Sequence, residues 1–312
     1  NQTPRFVDEL LSRGSPATAA QPRKPSLEER MDTPEIGELV VPGARLYYEV
    51  VGTGPALVLV PTGNGDAGPF RPIASLLADR YTVITYDRRG FSRSPLDGPV
   101  DDERRLETDV DDVLRLLAHL ADGPACVFGT CSGAIVALAL LERHPDRVRA
   151  LVAHEPPLAS VLPNADEELE FHENLYELYR TAGVDEARQA FGRYLGATGA
   201  SKPPEEFQPP PDELADMLAR TRRNLTFWFD HEVRSFPAVV PDTVALKAAS
   251  AQLVLAGGTT SREQSPYRAN AVLAGRVGLD LEHFPGGHLG HVTDPVEFAE
   301  RLHEVLLRNG KR

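Results

Sequence analysis

A chain of 312 residues, 41% apolar and 25% charged, has the composition of an ordinary globular protein and can bury the core of one large α/β domain with an insertion. Its formal charge of −13 repels nucleic acid and anionic membrane surfaces, which argues against both as partners. No apolar run of about 18 residues is present and no basic-then-apolar leader opens the chain, so a cytoplasmic, non-membrane protein is expected.

Residues 1–36 are rich in Pro, Ser, Ala and charge, with Phe6, Leu10 and Leu11 as apolar anchors. They read as a flexible N-terminal arm, or as one that docks through those three side chains. From residue 37 strands and helices alternate. Residues 37–43 and 45–51 read as an antiparallel hairpin turning at Pro42-Gly43. The runs 56–61, 81–87, 125–130, 148–154, 251–257 and 279–284 are short and apolar on both sides, as strands covered on both faces are. Helical patterns occupy 69–79, 103–121, 132–144, 262–274 and 295–308. This order predicts an α/β fold built on a doubly wound, mostly parallel sheet. Asp87-Arg88-Arg89-Gly90, after the fourth strand, reads as a sheet edge shaped by ion pairing.

Residues 156–250 break the alternation. Phe171, Leu175 and Leu178, and later Leu214, Leu218, Leu225 and Phe229, take helical spacing on either side of the Pro-rich stretch 203–211. A helical cap over the carboxyl ends of the strands is expected there, with the core formed by 37–155 and 251–312. Trp228, Phe229, His231 and Glu232 are its candidate pocket residues.

The strongest local signal is Gly129-Thr130-Cys131-Ser132-Gly133, which joins the strand ACVFGT to the helical run AIVALALLERH. A nucleophile on a strand-to-helix turn needs small neighbours two residues before and after it, because the chain doubles back tightly there. The turn also sets the Cys131 thiol at a helix amino end, where the dipole and free N–H groups favour thiolate. Ser132 then supplies a backbone N–H to an oxyanion hole, and the Gly-rich loop from Thr62 to Asp66 supplies the second, through Thr62 or Gly63. Cys126, inside the strand, reads as inert core. An extended chain would hold the two cysteines roughly 16 Å apart, beyond disulfide reach, and no Cys/His pair has metal-ligand spacing. A reducing compartment, no metal and no cofactor are expected. The base is expected at His288, after Pro285-Gly286-Gly287, with His291 as rival and His283 structural.

These residues resemble the α/β-hydrolase superfamily over 37–308, through VVPGARLYYEVVGTGPALVLVP, VITYDRRGFSRS, GTCSG and FPGGHLGHVTDP. The resemblance implies an eight-stranded sheet, a lid, and a nucleophile–His–acid triad carried onto Cys131 and His288. Two departures matter. The usual elbow residue is Ser, and the usual acid site after Gly257 holds no Asp. Glu155, at the end of the strand 148–154 and fixed by Pro156-Pro157, is the acid expected instead, with Glu263, read as inside the next helix, as runner-up. Cysteine elbows occur in dienelactone hydrolases, polyhydroxyalkanoate synthases and Dieckmann-type cyclases. Epoxide hydrolases and haloalkane dehalogenases carry Asp there and are disfavoured.

The expected function is acyl transfer through a Cys131 thioester, on an ester, lactone or thioester in secondary metabolism. The partner is a small-molecule acyl substrate, free or carrier-bound, and the protein a monomer or homodimer. The alternatives are a cyclase or transferase that closes an acyl chain, a serine esterase carrying a Ser-to-Cys change, and a non-catalytic small-molecule binder.

Overall fold

The computed structural model describes residues 33–195 and 202–310. The arm expected over 1–36 thus lies, up to residue 32, outside the described residues. Eight strands form one sheet: β1 (Glu35–Val41), β2 (Ala44–Val51), β3 (Ala56–Val60), β4 (Thr82–Tyr86), β5 (Ala125–Thr130), β6 (Val148–His154), β7 (Leu253–Gly258) and β8 (Glu282–Phe284). Their order is β1-β2-β4-β3-β5-β6-β7-β8. β1 and β2 form an antiparallel hairpin, β2 runs antiparallel to β4, and all remaining neighbours are parallel.

The helices are α1 (Arg71–Leu77), α2 (Arg105–Leu120), α3 (Ser132–Arg143), α4 (Ala165–Ala182), α5 (Val184–Tyr194), α6 (Pro211–His231), α7 (Thr243–Ala248), α8 (Ser265–Val277), α9 (Gly290–Thr293) and α10 (Pro295–Asn309). β8 is shorter than the run 279–284 suggested. α8 continues to Val277 and stops at Gly278, whose φ of +76° ends the helix, so residues 279–281 carry the connection. Among the described residues no helix is long and apolar enough to cross a membrane.

Alternation along β5 divides the core. Val127 points to one face, against Val113 and Leu117 of α2, Ala137 of α3 and Leu273 of α8. Cys126 and Phe128 point to the other, against Ile73 of α1 and Phe298 and Leu302 of α10. Each such fully buried Leu or Phe contributes about 1.5–3 kcal/mol relative to an exposed one. The central position of β5 is what brings its carboxyl end, and Cys131 after it, to the middle of the sheet.

Between β6 and β7 the chain forms α4 to α7. Leu175, Trp228, Phe229 and Val233 make a separate apolar cluster there, which Phe91 joins from the loop after β4. Leu158, Val161, Leu162, Phe236 and Leu246 instead pack into the sheet's own core. The segment with a cluster of its own is therefore narrower than 156–250. Of the apolar stripe expected on α6 from Leu214, Leu218, Leu225 and Phe229, Phe229 is fully buried and Leu218 is 58% exposed; Asn224 and Trp228 are buried as well.

The Arg88 side chain joins the helical segment to the core. It is wholly buried, donates to Asp109 of α2 at 2.5 Å, and reaches both oxygens of Glu232, just past α6, at 2.8 and 3.0 Å. Arg105 of α2 adds a bond to Glu232 at 3.1 Å. The ion pairing expected of Asp87–Gly90 is thus present, but not at a sheet edge, because β4 lies between β2 and β3. Glu232 is committed to this cluster and not to a pocket. Removing one partner of a buried ion pair leaves an uncompensated charge at a cost of about 3–5 kcal/mol. Arg88→Met is expected to lower the unfolding free energy by about that amount, read from the urea midpoint at constant slope.

Candidate active site

Cys131 links β5 to α3 in a strained conformation, φ +54° and ψ −128°, a region that non-glycine residues avoid. The flanking glycines make room for it. A Cβ on Gly129 would lie 2.5 Å from the Gly133 carbonyl oxygen, and one on Gly133 would strike the carbonyl of Val60. The Cys131 N–H donates to the His154 carbonyl at 3.0 Å, which ties the turn to the end of β6.

Glu155, the next residue after β6, is also left-handed at φ +49° and is fully buried. Its Oε2 accepts from His288 Nδ1 at 2.7 Å. Its Oε1 accepts from the Gly258 N–H at 2.7 Å and from the Ser261 hydroxyl. His288 stands on the loop after β8, where Gly286 has φ +74° and a side chain there would strike Asp294. With Nδ1 committed to Glu155, the other ring nitrogen is left to face Cys131, whose thiolate His288 favours by charge and by hydrogen bonding. The backbone N–H groups of Gly63, after β3, and of Ser132, opening α3, favour the same thiolate.

The electrostatics follow from these contacts. Burial works against the Cys131 thiolate, but the His288 charge, its hydrogen bond and the two N–H groups outweigh it, so the thiol falls below its ordinary range. Burial likewise opposes the His288 imidazolium, yet the sulfur and Glu155 raise it to about 10. Glu155, despite desolvation, is held down to about 2, chiefly by its bond to His288. These shifts favour a thiolate at Cys131 and an imidazolium at His288, beside the Glu155 carboxylate. Cys126 is the opposite case, since burial raises its thiol to about 11 within the apolar cluster beneath the sheet.

The family model for the alpha/beta hydrolase fold matches residues 55–231. The chain belongs to the α/β-hydrolase fold family. The uncharacterized hydrolase YraK of Bacillus subtilis (strain 168) is 36% identical over 281 residues, 88% of this chain and 97% of that protein. A zearalenone hydrolase of Bionectria ochroleuca is 30% identical over 277 residues, 86% and 96% of the two chains. Among solved structures, an alpha/beta hydrolase from Sphaerobacter thermophilus DSM 20745 matches with a TM-score of 0.61 at 24% identity, over 86% of this chain and 99% of that one, which shows the shared fold. The protein is an α/β-hydrolase enzyme.

In this hydrolase the sequence-predicted residues divide into those that meet and those that do not. Cys131, His288, Glu155, Ser132 and Gly63 converge. Thr62 does not join them as a donor but shapes the loop: its hydroxyl accepts from Asn64 at 3.1 Å and its carbonyl from Gly65 at 2.9 Å. Trp228 reaches the site, its Nε1 lying 2.6 Å from where a Gly63 Cβ would stand. Phe229 instead stacks on Tyr179 at 4.9 Å within the helical cluster, and His231 turns away to Asp102 at 2.7 Å. Glu263 lies exposed in the turn before α8, not inside that helix, and the same turn supplies Ser261 to Glu155. His291 is sealed among Phe70, Phe128 and Phe298, and burial lowers it to about 3. His283 pairs with the Tyr267 hydroxyl at 2.9 Å. Ser261 and the Gly258 N–H were not singled out from sequence. Their signal was the small-residue run Gly257-Gly258-Thr259-Thr260-Ser261, which offers donors where an acid was sought.

Proposed function

We propose that this enzyme is a cysteine-dependent acyl hydrolase, with Cys131 as nucleophile, His288 as proton carrier and Glu155 as its orienting partner. The observation that carries the reading is the line Glu155–His288–Cys131 with two backbone N–H groups aimed at the same sulfur. The Cys131 thiolate attacks the acyl carbon, a C–S bond forms, and the carbonyl π pair moves to oxygen, where Gly63 and Ser132 donate. Collapse expels the leaving group, which takes the proton from His288. Water then attacks the thioester and gives a proton to His288, and the second collapse breaks the C–S bond. The free acid leaves, and the thiolate–imidazolium pair is restored.

A thiolate is a good attacking and a good leaving group, so thioesters, activated esters and lactones suit it better than unactivated esters. Trp228, over Gly63, is the candidate wall of the acyl pocket. The helices between β6 and β7 act in this reading as a cap that keeps bulk water from the thioester. Two free thiols fit a reducing compartment. The relative named for zearalenone hydrolysis makes zearalenone the first natural compound to assay. Intact-protein mass spectrometry after brief incubation with a short-chain acyl thioester tests the covalent step. One acyl group on a peptide containing Cys131 is expected; turnover without any adduct on Cys131 in rapid-quench samples would overturn it.

A further inference from the structure

Three residues of α6 spaced by four, Arg220, Asn224 and Trp228, fall on one helix face. All three meet the loop that carries the Gly63 N–H. Arg220 Nε donates to Asp66 at 2.7 Å. The Asn224 amide donates to Asn64 at 3.3 Å and to the Ser92 hydroxyl at 2.8 Å, and accepts from the Ser92 N–H at 2.9 Å. Ser92 itself donates to Asp66 at 2.5 Å and is held at φ +45°. Trp228 closes the row over Gly63.

These bonds have an unusual placement. Asn224 and Asp66 are both only 2% exposed, so their polar atoms are satisfied by one another's network and not by solvent. A helix packed for hydrophobic burial alone would present Leu218 and its neighbours to the core. α6 leaves Leu218 in solvent and buries the Asn224 amide beside Trp228 and Phe229. The loop from Thr62 to Gly68 thus has its turn closed internally, by Thr62 and by Asp66 on the Gly68 N–H at 2.7 Å, is anchored to the core where Asp87 accepts from Ala67 and Arg88 donates to the Gly65 carbonyl, each at 2.8 Å, and is held on its other side by α6. Asn64 adjoins Gly63, so the Asn224 contact holds the loop one residue from the Gly63 N–H.

We propose that Arg220 and Asn224 are positioning residues for the Gly63 donor, so that the oxyanion site is complete only when α6 is seated. The inference rests on Cys131 being the nucleophile. Cys131 and His288 are each only 9% exposed, so a substrate reaches them by displacement of overlying elements. Because the Trp228 that roofs the site and the residues that aim Gly63 lie on one helix face, displacement of α6 both admits substrate and disassembles the oxyanion site. Its return assembles the site around the bound acyl group and excludes water from it.

The test compares two reactions of the same sulfur. Acylation by p-nitrophenyl acetate builds an oxyanion. Alkylation by iodoacetamide forms a C–S bond as iodide leaves a saturated carbon, and builds none. Loss of one oxyanion donor slows acyl transfer by roughly 10²–10³-fold, so partial misplacement in Asn224→Ala and in the less buried Arg220→Gln is expected to slow acylation at least about tenfold. KM should stay within about threefold, the alkylation rate should hold or rise as α6 loosens, and Arg220→Lys, which keeps a donor for Asp66, should recover most of the acylation rate. Equal falls in acylation and alkylation, or an unchanged acylation rate in both variants, would overturn the inference. Cys131→Ala distinguishes the underlying reading: a wild-type burst of p-nitrophenolate from that variant removes Cys131 as nucleophile, and this inference with it.

Discussion

Cys131→Ala is expected to reduce steady-state turnover of p-nitrophenyl acetate by at least about 10³-fold, with no acyl adduct in the intact mass, while the far-ultraviolet circular dichroism stays that of the wild type. The size follows from what remains. Without the sulfur, His288 and Glu155 have no nucleophile to activate, and only binding and the Gly63 and Ser132 donors act on the substrate. Groups that work as a unit lose nearly everything when one is removed. Serine at the same position separates two further readings. Its hydroxyl forms no ion pair with His288 at neutral pH, so Cys131→Ser should lower thioester turnover. A rise in ester turnover in that variant would mean that the site is built for an alcohol and that cysteine is the substituted residue.

The second large effect concerns proton affinity. In the wild type the Cys131 thiol lies below its ordinary value and His288 is raised to about 10. The thiolate is present above the lowered thiol value, and the imidazolium persists until the pH rises through about 10. Turnover should therefore rise on an acid limb as Cys131 loses its proton, and fall on an alkaline limb as His288 loses the proton that the leaving group needs. His288→Gln removes the largest influence favouring the thiolate and leaves burial, which opposes it, so the thiol should move above its ordinary value of about 8.5. Iodoacetamide alkylation at about pH 6.5 should then slow about tenfold for each unit of that rise, and recover only in alkaline solution. A pH profile of alkylation that is the same in both proteins would show that the two groups are not paired.

Much of the frame was legible because it rests on backbone rules that act between near neighbours. β3 and the first four residues of β5 are apolar because both faces are covered, and the strands occur where those runs do. Gly129 and Gly133 bracket Cys131 because no Cβ fits at either place, and Gly286 before His288 adopts a φ that few other residues tolerate. The meeting of Glu155 with His288 was also readable, since β6 lies beside β5 and its last residues share one end of the sheet.

The errors lie where contacts join residues far apart in sequence. Leu214, Leu218, Leu225 and Phe229 carry the apolar period of α6, and Phe229 is buried in the apolar cluster as that period implies, but Leu218 is exposed, and the face of Arg220, Asn224 and Trp228 meets the polar loop after β3. Hydrophobic period reports a helix's packing side only when its neighbour is also apolar. Phe229 follows Trp228 directly in the chain, yet the helical turn of about 100° per residue carries it to Tyr179, while His231, three residues on, pairs with Asp102.

The sheet, the glycine-flanked strand-to-helix turn at Cys131 and the Gly286 turn before His288 follow from local sterics and from alternating strand and helix, and could be read along the chain. Packing across the fold, by contrast, is what brings Ser261 and Gly258 to Glu155 and joins the helical segment to the core through Arg88 and the Asn224 face of α6. Those contacts depend on which of several competent donors ends within about 3 Å of its acceptor, and that distance is fixed by packing across more than a hundred residues of chain.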